Sequence, residues 1–303
     1  MKHVAVRLAG GVWVVVAATA CAWLLFHLLR PELFADESGS LPQQFWHFLE
    51  RAFLHFDFGR SLRGSQRPVS QIIREGVPAD LSLLAGGLLV GFAGGVLGAL
   101  VCARRPRGIS SRTLQAVALV GMCAPVYVVG LSALLIFGQE IGRVQFLQVI
   151  PLHYVPFGDS PTKWLGSLIV PWLVLGLPLA GMCLRVMLGE LVEVEGEDYV
   201  RAARAKGLTE WTVRSRHVAP AALVPTAMLA SASMPLLLTN LVLVERVFSI
   251  SGVFRDFSLA IGAADITLIL GATAVGAAYI AATTILFDVF VTWLDPRVRM
   301  RSS

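Results

Sequence analysis

Hydrophobic and polar positions along this chain are segregated into blocks. Six stretches of 22 residues or more carry almost no charge, at roughly 8 to 29, 79 to 103, 114 to 138, 165 to 187, 222 to 244 and 266 to 290. As a helix, each is long enough to cross about 30 Å of hydrocarbon, which takes about 20 residues. The intervening segments are rich in charge, proline and glycine, so the pattern predicts an all-α, polytopic membrane protein with six transmembrane helices. In the loop from 30 to 78, Phe45, Phe48, Leu49, Ala52, Phe53 and Phe56 recur at helical spacing. They predict an amphipathic helix whose aromatics suit the headgroup layer, with a substrate cage as the sharper alternative. A turn at Asp57-Phe58-Gly59-Arg60-Ser61-Leu62 and a second short polar helix from about Val69 to Glu75 precede the second span.

Composition agrees with a membrane protein. Of 303 residues 56% are hydrophobic and 15% charged, with a mean hydropathy of +0.71, whereas soluble domains carry about 25% charged residues. Lys2 and Arg7 ahead of the first block, and the small residues Ala17 to Cys21 inside it, raise the alternative of a cleaved signal peptide. The apolar run continues to Leu29, which favours a retained span. Cys21, Cys102, Cys123 and Cys183 fall in or beside spans without a C-x-x-C pair, so neither a disulfide framework nor a metal site is expected.

Basic residues give the orientation. Fifteen of the 25 Lys and Arg fall in the termini, in 104 to 113 and in 185 to 221, with clusters at Arg104-Arg105-Arg107, Arg201-Arg204-Lys206 and Arg297-Arg299-Arg301. This bias puts those segments and both termini in the cytoplasm. It also accounts for the net charge of +5 without invoking nucleic acid.

Within the spans, Gly87, Gly91 and Gly95 form a stripe, with Gly94 and Gly98 on a neighbouring one, suited to close helix packing inside the subunit. Pro125, Pro171, Pro178, Pro225 and Pro235 each free a carbonyl and allow a kink. Broken or kinked spans line cavities or paths, which favours a transporter or channel over a static bundle. Asp265 and Asp288 lie near the ends of the sixth block, and no buried carboxylate is expected, which counts against an ion-coupled carrier.

The long loop from 190 to 220 has its acids first and its bases last. From Asp198 to Lys206 it reads as a short helix with Gly207 at the left-handed C-terminal position, followed by a second helical piece capped by Thr209 and running through Trp211 and Val213 toward His217. Two short helices hinged at a glycine would form a knob offering Tyr199, Ala202, Ala203 and Trp211 for contact. A solvated charged loop is the plainer alternative.

The run Gly196-Glu197-Asp198-Tyr199-Val200-Arg201-Ala202-Ala203-Arg204-Ala205-Lys206-Gly207-Leu208, followed by Arg216 to Pro225, resembles the coupling-loop signature of the dipeptide/oligopeptide/nickel ABC importer permeases. Arg201 takes the place of the signature's Glu, while Ala202, Ala203 and Gly207 match it. Asp57 to Leu62, Val244 to Ile250 and Leu294 to Arg299 resemble other family segments in the same order, so the resemblance covers nearly the whole chain. Ser251, Phe254 and Ala264 to Thr267 depart from the pattern; these positions bear on substrate rather than on energy coupling.

The resemblance implies a type I ABC importer permease fold in a bacterial inner membrane. Residues 1–78 would form the first span with its external loop, 79–292 a five-helix core containing the coupling loop, and 293–303 a cytoplasmic tail. Asp198, Tyr199, Arg201, Ala202, Ala203, Arg204, Lys206, Gly207 and Trp211 would contact a cytoplasmic ATPase. Pro125, Pro178, Pro235 and Asn240 would shape the path, and Arg60, Glu245, Phe248 and Arg255 would meet an extracytoplasmic substrate-binding protein. The other implied partners are a second homologous permease, a second ATPase domain and membrane lipid. No G-x-x-x-x-G-K-[ST] loop is present, so ATP and Mg would sit on the ATPase subunits, with no cofactor on this chain. Neither G-x-S-x-G nor H-E-x-x-H occurs, and a non-catalytic subunit is expected. Import of di- or oligopeptides is the leading reading; nickel or another small solute, or an ATP-independent secondary transporter or channel, are the alternatives.

Overall fold

The computed structural model describes residues 2–34, 39–61, 66–104, 108–138 and 154–294. Leu62, Arg105, Arg107 and the tail from Asp295 on, with Arg297, Arg299 and Arg301, lie outside the described residues. In chain order the helices are α1 (Lys2–Leu29), α2 (Leu41–Leu54), α3 (Val69–Leu88), α4 (Gly94–Arg104), α5 (Ile109–Cys123), α6 (Val126–Phe137), α7 (Pro161–Glu195), α8 (Asp198–Ala205), α9 (Glu210–Val213), α10 (Ala219–Ala232), α11 (Met234–Val247), α12 (Val253–Ala263) and α13 (Ile266–Leu294). A π-helical turn at Leu89–Ala93 joins α3 to α4, and another at Arg214–Val218 joins α9 to α10. Among the described residues there is no strand; Arg60 and Pro68 form an isolated bridge.

The six apolar blocks reappear as spans of two kinds. Arg7–Leu29, Val69–Arg104, Pro161–Glu195 and Ile266–Leu294 are single helices long and apolar enough to cross a membrane. The third and fifth spans are bent pairs: α5 and α6 turn through 112°, and Glu210–Ala232 meets Met234–Val247 at 52°. Proline had suggested kinks at all of these sites, but the outcome differs. Pro125 occupies the cap position ahead of α6, and Pro235 lies in the first turn of α11, where a missing N–H costs nothing. Pro171 and Pro178 are buried inside α7, which remains one 35-residue helix.

One expectation about boundaries needs correction. The short polar helix at Val69 to Glu75 is not separate from the second span; the helix runs on through Pro78, with the Ser82 hydroxyl donating to the Pro78 carbonyl at 2.7 Å. The segment between the fifth and sixth spans, for which no element was predicted, contains α12. This helix starts after Gly252 and stops at Ala264, which adopts φ +53°.

The chain divides into two compact units, Met1–Ser82 with Ser249–Ile285 and Leu83–Phe248 with Leu286–Ser303. In the first, Trp23 of α1 stacks against the α2 aromatics, with ring centroids 5.3 Å from Phe45 and 5.9 Å from Phe48. The amphipathic face of α2 is thus packed on α1. In the second, α7 is the central helix. A Cβ on Gly87 would lie 2.8 Å from Leu175, one on Gly91 2.6 Å from Leu179 and one on Gly95 2.6 Å from the Ala180 carbonyl. The glycine stripe therefore serves packing within the chain, as its spacing predicted. Gly94 faces open space.

Candidate functional site

The loop after α7 folds as a knob held from beneath. Gly196 ends α7, Glu197 occupies the cap position of α8, and Val200 and Ala203 turn inward. They join a buried apolar cluster with Leu184, Met187 and Leu191 of α7, Val213 of α9, Val218 of the π turn and Ala222 of α10. α8 ends one residue earlier than expected, at Ala205, and Gly207 follows with φ +78° and its N–H donating to the Arg204 carbonyl at 2.9 Å. A Cβ at Gly207 would meet nothing within 4 Å, so its requirement is conformational: the left-handed region strains residues with side chains. Thr209 caps α9, accepting from the Thr212 N–H at 3.3 Å.

The inward face explains why only part of the expected contact set is available. Ala203 is 7% exposed and faces the core, whereas Ala202, Arg201, Lys206 and Gly207 are exposed. Tyr199 is 47% exposed and Trp211 70%. Trp211 lines a cavity of about 370 Å³ together with the apolar Leu100, Leu191 and Ala219 and the charged Arg104, Glu195 and Arg214. The surface charges are matched locally. Arg201 pairs with Asp198, Arg204 donates to Glu210 at 2.9 Å and to the Glu195 carbonyl at 3.4 Å, and Arg214 lies 3.1 Å from Glu195. The hydrogen bond to Glu210 pushes the Arg204 guanidinium above its ordinary range. Partial burial and the Glu197 charge push the Tyr199 phenol up, keeping it neutral near pH 7. The acids Glu195 and Glu210 and the base Arg214 were not among the expected site residues; the four-residue spacing of Glu210 and Arg214 is the signal that could have found them.

Elsewhere the expected residues divide. Arg60 is exposed and Arg255 half-buried, but Glu245 is 0% and Phe248 5% exposed, so these two are not surface contacts. Phe248 packs close to Gly130. Of the path candidates, Pro125 and Pro235 are exposed, Asn240 is half-buried and Pro178 is enclosed.

The expectation of no buried carboxylate is wrong: Asp80, Glu245 and Asp265 are all fully buried. Asp80 was legible as a single acid in an otherwise uncharged block. The contacts of the two aspartates are those of helix caps. Asp265 accepts from the Leu268 N–H at 3.2 Å, three residues into α13, and from the Ser61 and Thr267 hydroxyls at 2.5 and 2.8 Å. Asp80 accepts from the Val253 N–H at 3.0 Å and the Tyr279 hydroxyl at 3.3 Å.

Residues 95–300 match the model of the family described as binding-protein-dependent transport system inner membrane component. A Brucella abortus (strain 2308) protein named for a peptide transport system permease is 33% identical over 273 residues, covering 89% of this chain and 83% of that protein. The dipeptide transport system permease protein DppB of Lactococcus lactis subsp. cremoris is 28% identical over 260 residues, 86% of this chain and 81% of its own length. An Escherichia coli (strain K12) protein named for a D,D-dipeptide transport system permease is 30% identical over 288 residues, with 89% and 83% covered.

Proposed function

Because this chain belongs to the family of binding-protein-dependent transport system inner membrane components, a multi-pass permease role follows, and we propose that it forms half of the translocation path of an ATP-binding-cassette importer for di- or oligopeptides. The peptide substrate rests on the names of the similar permeases. The knob at Asp198 to Trp211 is the contact with a cytoplasmic ATPase, and a second permease completes the path. An extracytoplasmic substrate-binding protein delivers the cargo to the opposite side, where Arg60 and the half-buried Arg255 remain candidates for contact. ATP is bound and hydrolysed by the ATPase subunits.

The observation that carries this reading is the knob itself: its underside is fastened to the bundle while Tyr199, Ala202, Gly207 and Trp211 face outward. Coupling needs a contact whose energy differs between two states of the transporter. A short helix fixed to the end of α7 would pass movement of a docked ATPase to the span as a rigid body.

The test is Gly207→Asp in the permease expressed with its ATPase, second permease and binding protein. The expected result is normal membrane insertion, loss of ATPase co-purification and loss of ATP-driven peptide uptake. Unchanged co-purification and uptake would sink the docking role, and uptake without any ATPase would favour a secondary transporter.

A further inference from the structure

α12 begins at a point where three segments distant in sequence converge. The Asp80 carboxylate of α3 accepts from the Val253 N–H, the first N–H of α12, and from the Tyr279 hydroxyl of α13. Asp80 is fully buried, as are Gly252 and Val253. The backbones approach closely: a Cβ on Gly76, one turn before Asp80, would lie 2.6 Å from the Val253 nitrogen. Phe254 closes the apolar side, with its ring 6.2 Å from that of Tyr279 and in reach of Gly276. Nothing larger than glycine fits at 76 without parting α3 from α12.

A carboxylate facing a helix N-terminus meets the positive end of the helix dipole and an N–H that no intrahelical carbonyl can satisfy. Here both groups are enclosed, so water does not replace the bond when it breaks. An apolar side chain at 80 would leave the Val253 N–H and the Tyr279 hydroxyl without this acceptor. The arrangement holds the start of α12 in one place; the far end, where Ile261 is exposed, closes on the left-handed Ala264 just before the buried Asp265.

We propose that Asp80 is a positioning residue for transport, a latch that fixes the N-terminus of α12 against α3 and α13 and so sets the pose in which Arg255, two residues further on, is presented. Arg255 is oriented from the same end, donating to the Ser249 carbonyl and the Ser251 hydroxyl, each at 3.4 Å. The inference rests on the permease reading above, because the pose of α12 matters to transport only if this helix meets cargo or its carrier.

The experiment uses the full transporter in proteoliposomes, with the exposed Cys21 and Cys123 replaced by serine and nitroxide labels on Leu81→Cys and Ile261→Cys, two exposed positions on α3 and α12. In Asp80→Ala the distance distribution between the labels should broaden, and peptide uptake should fall about tenfold. Asp80→Asn keeps an acceptor for the Val253 N–H and should give a smaller loss on both readouts. If Asp80→Ala does not accumulate, Asp80→Asn and Tyr279→Phe carry the test, each expected to broaden the distribution and lower uptake. An unchanged distribution overturns the latch. A broadened distribution with undiminished uptake overturns its role in transport while leaving the permease reading intact. Absence of ATP-driven uptake by the unmutated transporter would instead sink the permease reading, and the label distances would still report whether Asp80 holds α12.

Discussion

The knob at residues 198 to 213 and the clasp around Asp80 and Asp265 both use carboxylates, in opposite ways. In the knob, Asp198, Glu195 and Glu210 pair with arginines at the surface, while the fold is held from below by Val200, Ala203 and Val213. In the clasp, the carboxylates are themselves the internal fasteners, joined to helix N–H groups and hydroxyls that water cannot reach. Exposed ion pairs contribute little, whereas a buried donor that loses its acceptor carries its full desolvation penalty. An exposed surface can therefore exchange its charges, and an internal joint cannot.

The contrast is tested most strongly at Asp265. Asp265→Ala strips acceptors from Ser61, Thr267 and Leu268, and should cost about 3 kcal/mol, read as a lowered thermal midpoint of the detergent-purified permease. A midpoint equal to that of the unmutated protein would erase the distinction. Next is Val200→Ala, which hollows the underside of the knob and should cost about 2 kcal/mol. Its stability loss should bring weakened ATPase co-purification with it, since the knob shifts as a piece. Trp211→Ala should leave the midpoint in place and weaken ATPase association by about three- to tenfold, as loss of an exposed aromatic anchor does. A matching fall in stability would mean that Trp211 belongs to the packing. Smallest is Arg201→Ala, whose exposed pair with Asp198 should account for less than about 1 kcal/mol. A large destabilisation there would show that the surface charges hold the knob together.

Much of the fold was legible because it depends on local pattern. The six apolar blocks, the α2 amphipathic face, the left-handed Gly207 and the Thr209 cap follow from periodicity and backbone preference, and each stands where its residues predicted. The exposed face of the knob was only half legible. Ala202 and Ala203 are chemically identical neighbours, and which one faces the bundle depends on how α8 lies on α7. α12 escaped notice because its 11 residues are too short to announce themselves as a span. The merger of the Val69 helix with the second span was hidden by Pro78, which is usually read as a stop.

Taken alone, the order of residues determined that this chain lives in a membrane, where its spans lie, and that a capped helix-turn-helix projects between the fourth and fifth of them. These are consequences of hydrophobic block length and of short-range backbone chemistry. Only the tertiary structure decided that Pro125 marks a 112° break while Pro171 and Pro178 lie within one continuous helix, and that Asp80 and Asp265 are joints rather than surface charges. The physical reason is the same in both cases. A freed carbonyl or an ionised acid has several possible fates, and its fate is chosen by the groups that folding brings beside it.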